Sequence, residues 1–185
     1  MDSRTIPRPA VQLFTDGACI GNPGPGGWAF ILKHSASGRS KEGKGGEHAT
    51  TNNRMEITAV IRGLEALNGP CDVKLFSDSQ YVVKSISEWM RKWKAFGWKK
   101  SARAQIKVRN ADLWIRLDEL LQQHSLKTTW VRGHDGHAEN ERCDHLATSA
   151  AAEVAATPPP ARDTSDNPTD CELFTDASCD DGQEE

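Results

Sequence analysis

Between Val11 and Ala18 apolar and polar side chains alternate with the period of a half-buried strand, and the run ends at Asp16-Gly17. The Gly/Pro-rich GNPGPGG at 21–27 reads as a turn. Trp28 to Lys33 and a polar stretch after Gly38 read as antiparallel strands, joined by the turn at Ser35 to Gly38. From Asn53 the pattern becomes helical: Met55, Ala59, Leu64 and Leu67 fall near one face, and Asn68-Gly69-Pro70 stops the run. Val73 to Phe76 is a short buried strand, and Ser77-Asp78-Ser79 offers a cap to a helix over Tyr81 to Met90. Residues 109–124 form an amphipathic helix with Leu113, Leu117 and Leu120 on one stripe, and Thr128 to Val131 is the last strand. A Gly/His loop then leads into an Ala-rich helix over Glu139 to Ala155. Three hairpin-linked strands, a helix, a strand, helices, a strand and a helix predict one α/β domain over residues 10–156.

Residues 1–9 are a short N-terminal extension. After Pro158-Pro159-Pro160 the chain turns acidic, Pro/Ser/Thr-containing and poor in apolar residues, so residues 157–185 are expected to be a disordered tail. Within it LFTDASC at 173–179 echoes LFTDGAC at 13–19, either as the remnant of a repeat or by chance. Nothing after Cys179 resembles the Gly-rich turn that follows Cys19, so no second site is expected.

That tail changes how the charge is read. Nine of the 26 acidic residues lie between Asp163 and Glu185, and the remaining 17 face 23 basic ones beneath a formal net charge of -3. The body therefore suits a polyanionic partner, although surface Lys and Arg are commonly just solvated. The five cysteines are odd in number, widely spaced and without the paired spacing of a zinc ribbon or disulfide scaffold, which points to a reducing compartment. With no apolar run near the roughly 20 residues that span a bilayer, and none at Met1 to Pro9, a soluble, cytoplasmic protein is expected.

Asp16 and Asp78 fall at strand ends, Glu56 in the first turn of a helix and Asp144 in the last helix. Four acids from four elements can meet at one sheet end. Such a cluster repels itself unless a cation neutralises it. Carboxylate oxygens select hard ions, Mg²⁺ above all, and two such ions roughly 3.5–4 Å apart stabilise both oxygens of an in-line phosphoryl displacement. Each acid alone is more commonly a solvated surface residue or a helix cap. Their surroundings lift them: FTDGACIGNPGPGGWAF at 14–30, TTNNRMEITAVIRGLEAL at 50–67, FSDSQYVVKSISEW at 76–89 and WVRGHDGHAENERCDHLA at 130–147.

These four blocks, in this order and spacing, resemble ribonuclease H of the type 1 family over about residues 10–152. The resemblance implies the ribonuclease H-like α/β fold, a five-stranded mixed sheet with its first three strands antiparallel and helices around it. It implies hydrolysis of the RNA strand of RNA/DNA hybrids to 5′-phosphate and 3′-hydroxyl ends by a monomer. Two Mg²⁺ ions, with Mn²⁺ as a substitute, would be held by Asp16, Glu56, Asp78 and Asp144. His134, in VRGHDGH, matches the family's catalytic loop histidine, which assists proton transfer or product release. A competing reading makes His134, His137, Cys143 and His145 a structural zinc site.

By the same resemblance Cys19, Asn22, Asn52, Asn53, Ser79 and Gln80 line the groove that meets 2′-hydroxyls and base edges. Thr51 and Arg54 match the neighbourhood of a DNA-phosphate pocket. Asn52 and Asn53 also suit a helix cap. Residues 91–109 hold eight Lys or Arg and no acid, interleaved with Trp93, Phe96 and Trp98. In the family this is a basic protrusion that grips the hybrid, here through Lys92, Lys94, Trp98, Lys99 and Lys100. Most of the tryptophans at 89, 93 and 98 are expected to pack the base of that handle. The acidic tail is a candidate for weak binding of a partner protein, or for competing with nucleic acid for the basic face. A catalytically silent hybrid-binding module should have lost an acid. Another member of the wider superfamily, such as a junction resolvase or integrase, should lack TTNNRME and the Trp-rich run.

Overall fold

Alternation along the first strand sets the layers. The computed structural model describes residues 8–133 and 136–159; residues 1–7 of the extension and the acidic tail from 160, with its LFTDASC echo, lie outside them. β1 (Ala10–Cys19), β2 (Gly24–His34) and β3 (Ser40–Thr50) lead into α1 (Asn52–Glu65) and β4 (Asp72–Ser77). Next come α2 (Gln80–Lys84), a π-helical turn (Ser85–Trp89) and α3 (Met90–Ala95), then α4 (Ala111–Leu121), β5 (Ser125–Trp130) and α5 (Ala138–Ala156). The sheet order is β3-β2-β1-β4-β5, with the first three strands antiparallel and β4 parallel to both β1 and β5. This is the expected five-stranded mixed sheet.

Val11 and Leu13 enter the main core with Ile57, Val60, Ile61 and Leu64 of α1 and Trp114, Leu117 and Leu120 of α4. Phe14 points to the opposite face, packs with Ile31 and with Cys143 of α5, and stacks on Phe76 at 4.8 Å between ring centroids. Side chains two apart share a face of a strand, so Asp16 follows Phe14 to the α5 side at the strand's end. Among the described residues no helix is long and apolar enough to cross a membrane.

Four local expectations need correction. The turn expected over 21–27 is confined to its first residues, because β2 already begins at Gly24. Those glycines are in the sheet for closeness: a Cβ on Gly27 would stand 2.2 Å from the Ala147 carbonyl oxygen, so its absence lets α5 lie directly on β2. The helix expected over Tyr81 to Met90 instead runs from Gln80 to Ala95 with a π-helical turn inside it, the one-residue insertion that such turns represent. The buried stripe of α4 is Ala111, Trp114, Leu117 and Leu120, with Leu113 only half-buried at its edge. β4 alternates buried and exposed positions, since Asp72 and Lys74 face solvent.

The tightest approach lies between β1 and α1. A Cβ on Gly17 would sit 2.3 Å from the Glu56 backbone nitrogen and 2.6 Å from the Met55 carbonyl carbon. No side-chain motion relieves a clash with backbone. Gly17→Ala is therefore expected to lower unfolding free energy by at least about 2 kcal/mol in urea titrations. Gly69→Ala, whose Cβ would meet nothing within 4 Å, is expected to be near neutral. Equal stabilities for the two variants would contradict this packing.

Candidate active site

Four elements present the acids at one end of the sheet. Asp16 lies near the end of β1 opposite Ala29 of β2, and its Oδ1 accepts a 2.7 Å hydrogen bond from the Gly17 N–H. Asp78 directly follows β4. Its backbone carbonyl accepts from the Trp130 indole at 3.0 Å, and its carboxylate accepts from Asn140 Nδ2 at 3.2 Å. Glu56 sits one turn into α1 rather than in its first turn, because the helix starts at Asn52. Its Oε1 accepts from Asn52 Nδ2 at 2.9 Å and its Oε2 from the Ser79 hydroxyl. Ser79 also caps α2, its oxygen accepting from the Val82 N–H at 3.2 Å. Asp144 projects from α5, half-buried, beside the fully buried Cys143.

The electrostatics record how close these groups are. Burial, then the charge of Asp78 and, behind it, those of Asp144 and Glu56, push the Asp16 carboxyl up to about 8 against the pull of the Gly17 N–H. Burial and, less strongly, Asp78 push Glu56 up to about 7, although the Ser79 hydroxyl lowers it. Burial, followed by the Asp16 charge, drives the Cys143 thiol far above its ordinary range. Among the described residues no three His, Cys, Asp or Glu side chains are grouped closely enough to hold a metal ion as they stand. The four carboxylates offer only oxygen donors, the type suited to a hard cation that keeps water among its ligands.

The residues expected at the groove take several positions. The Cys19 thiol lies 3.6 Å from both the Gly24 and the Thr50 carbonyl oxygens and can donate its one hydrogen to either, tying the end of β1 to its neighbours. Neither Asn52 nor Asn53 caps α1. Thr51 holds the cap position without a side-chain bond, and the Asn52 N–H is taken up by Asn22 Oδ1 at 3.2 Å. Asn53 is exposed, as is Gln80 at the start of α2. Asn22, Thr51, Asn53 and Arg54 share a cavity of about 390 Å³ with Arg109 and Asn110. Arg54 is anchored there by paired hydrogen bonds to Asp112 at 3.1 and 2.8 Å, which raise its affinity for its proton and lower that of Asp112.

The handle divides. Trp93 packs between Trp89 and Trp114 at 5.8 Å from each, as expected for a packed base. Trp98, at φ 65°, is half-buried against the main core, and Val108 bonds back to its carbonyl at 2.8 Å. Lys99 bridges to Lys107, and Lys100 lines a cavity of about 700 Å³ with Trp89, Trp93, Lys107 and Arg109. Lys92 is exposed. Lys94 is exposed as well, its ammonium 2.7 Å from Asp118 of α4. His134 lies outside the described residues. Of its zinc-reading companions, Cys143 faces the core while His137 and His145 are exposed, so the described members do not gather.

Sequence reasoning missed Asn140, Trp130 and Arg109. Asn140 precedes Asp144 by one helical turn, a spacing that would have found it. Arg109 ends the basic run, and Trp130 carries no sequence signal for its bond to the Asp78 backbone.

A three-antiparallel, two-parallel sheet with four acids at one end defines an α/β fold of the ribonuclease H type. The family model described as RNase H matches residues 8–152. Ribonuclease H of Pseudomonas syringae pv. syringae (strain B728a) is 57% identical over 145 residues, covering 78% of this chain and 94% of the relative. Ribonuclease H of Halorhodospira halophila (strain DSM 244 / SL1) is 55% identical over 152 residues, covering 82% and 99%. The crystal structure of LC9-RNase H1, a type 1 RNase H with the type 2 active-site motif, matches with a TM-score of 0.70 at 33% identity, over 80% of this chain and 74% of that one. The chain belongs to the RNase H family.

Asp16 and Glu56 hold protons more tightly in the fold than in the unfolded chain. Their contribution to stability is full below about pH 4 and is lost as pH rises through about 7 to 8. In EDTA the urea midpoint is expected to fall between about pH 5 and about pH 8.5, and Asp16→Asn is expected to flatten that fall and to exceed wild type at the higher pH. A variant that keeps the wild-type profile contradicts the electrostatic account.

Proposed function

We propose that this chain is an endonuclease that hydrolyses the RNA strand of RNA/DNA hybrids, leaving 5′-phosphate and 3′-hydroxyl ends, with residues 10–156 as its catalytic domain. One observation carries the reading: four acids from β1, α1, the end of β4 and α5 lie close enough for three of them to raise the proton affinity of the fourth. Membership of the RNase H family supports the substrate class.

The donor set fits a hard divalent cation, since its oxygens are carboxylate and its immediate partners are neutral amides and a hydroxyl. Asp16, Glu56, Asp78 and Asp144 would hold two Mg²⁺ ions, with Mn²⁺ as a substitute. When bound, the ions supply charge neutralisation to the attacking and leaving oxygens of the displacement. Ser79 and Asn52 hold Glu56 in place. His134 moves a proton near the scissile phosphate or eases product release.

Recognition follows shape rather than base sequence. Cys19, Asn22, Asn53 and Gln80 face the RNA side of the minor groove. Thr51 and Arg54, joined by Arg109, take a backbone phosphate of the DNA strand, with Asp112 orienting the guanidinium. Lys92, Lys94, Lys99, Lys100 and Trp98 grip the backbone beyond it. The enzyme acts as a cytoplasmic monomer, and its acidic tail binds a partner protein weakly.

The test is cleavage of an RNA-labelled hybrid in Mg²⁺ by wild type and Asp16→Asn, with duplex DNA and duplex RNA as controls. Cleavage confined to the hybrid and lost in the variant is expected. Tight hybrid binding without cutting in either Mg²⁺ or Mn²⁺ would replace this reading with a silent binding module.

A further inference from the structure

Each of three acids at the sheet end has a neutral donor of its own. Asp16 takes the Gly17 N–H, Glu56 takes Asn52 and Ser79, and Asp78 takes Asn140. Among the described residues no Lys or Arg forms an ion pair with any of the four acids. A neutral donor orients a carboxylate and leaves its charge uncancelled, which is what a site for a cation requires.

Asn140 stands out because it is costly to the fold. It is 3% exposed, one turn before Asp144 on α5, and while its Nδ2 donates to Asp78 Oδ2, its Oδ1 is buried and has no partner among the described residues. Exchanging the amide's two ends would set Oδ1 against a carboxylate oxygen, acceptor against acceptor, so Asp78 itself dictates the orientation. A buried carbonyl oxygen without a donor weakens a fold, and an apolar side chain would remove that penalty. A core built for stability alone has no use for an asparagine here.

Asp78 also has a second tether. Trp130 holds its backbone carbonyl, from the end of β5, while Asn140 holds its carboxylate from α5. With the main chain pinned by one element, the other is free to set the side chain.

We infer that Asn140 is a positioning residue, holding the Asp78 carboxylate beside Asp16 and Glu56 so that an arriving divalent cation meets a preset group of donors. This rests on reading the four acids as a divalent-cation site. Asn140 acts through Asp78, whose carboxylate its amide contacts.

The experiment uses the full chain as wild type, Asn140→Leu, Asn140→Ala and Asp78→Asn. For each, Mg²⁺ affinity is measured by calorimetry, the unfolding midpoint is measured in EDTA, and kcat and KM are measured on a hybrid. Both Asn140 variants are expected to bind Mg²⁺ roughly tenfold more weakly and to lose kcat, with KM for the hybrid within about twofold. Their midpoints in EDTA are expected to equal or exceed wild type, an outcome that a merely structural role would not produce. Wild-type Mg²⁺ affinity in both variants overturns the inference, as does weakened affinity accompanied by a lowered midpoint in both. If Asp78→Asn loses Mg²⁺ while the Asn140 variants bind normally, this inference alone fails. If Asp78→Asn binds Mg²⁺ like wild type, the cation site fails and the inference with it.

Discussion

α1 crosses β1 in direct backbone contact at Gly17, and the site depends on that contact. A methyl group there would overlap the main chain of Met55 and Glu56. Because the helix lies so close, Glu56 comes beside Asp16 and within reach of Ser79 at the end of β4. The interior that holds α1 in place, from Leu13 through Ile57 and Leu64 to Trp114, is apolar and fully buried at those positions. α5 makes the equivalent approach on the opposite face, resting on Gly27 and carrying Asp144 and Asn140 to the same end. Glycines on neighbouring strands thus let two helices close on the sheet from opposite sides.

The acids so assembled oppose the fold that assembles them. Desolvation raises the proton affinity of Asp16 and Glu56, and mutual repulsion adds to it. Core burial offsets this conflict, and neutral hydrogen bonds contain it, but among the described residues no Lys or Arg pairs with these acids to cancel it. A hard divalent cation would. Strain of this kind, held by a rigid shell and relieved by a ligand, is expected where a protein binds metal for chemistry rather than for stability. The handle solves a different problem. Its tryptophans are half-buried, Trp93 and Trp98 packing against the core, and its lysines and arginines are exposed apart from the half-buried Lys99, with Lys94 paired to Asp118 at the surface.

Much of this was legible because strand and helix periods are carried by side chains that choose a layer. Val11, Leu13 and Phe14 declared β1 and its two faces, and Asp16 followed from its place in the alternation. The glycine run at 21–27 misled, since glycine signals both turns and close packing, and only the partner element distinguishes the two. Leu113 was preferred to Trp114 for a similar reason: a leucine spacing is visible in the chain, whereas the space for an indole between Tyr81 and Trp93 is a property of the assembled helices. Asn52 looked like a cap because asparagine before a helix usually is one. Its side chain is taken by Glu56 instead, and Asn22 serves the helix from a different loop. Cross-element hydrogen bonds such as those of Asn22 and Trp130 have no local signature, whereas Asn140 stands one helical turn before Asp144.

On the reading proposed above, protonatable, mutually repelling carboxylates form a site that a divalent cation completes. Calorimetric titration of Mg²⁺ into the full chain, repeated in buffers of different ionisation enthalpy, tests it directly by counting the protons that binding displaces. With Asp16 poised at about 8 and Glu56 at about 7, binding at pH 7 should release roughly one proton or more, and the release should vanish well above pH 8. Mg²⁺ binding with no proton release at pH 7, or no binding at all, would contradict the account.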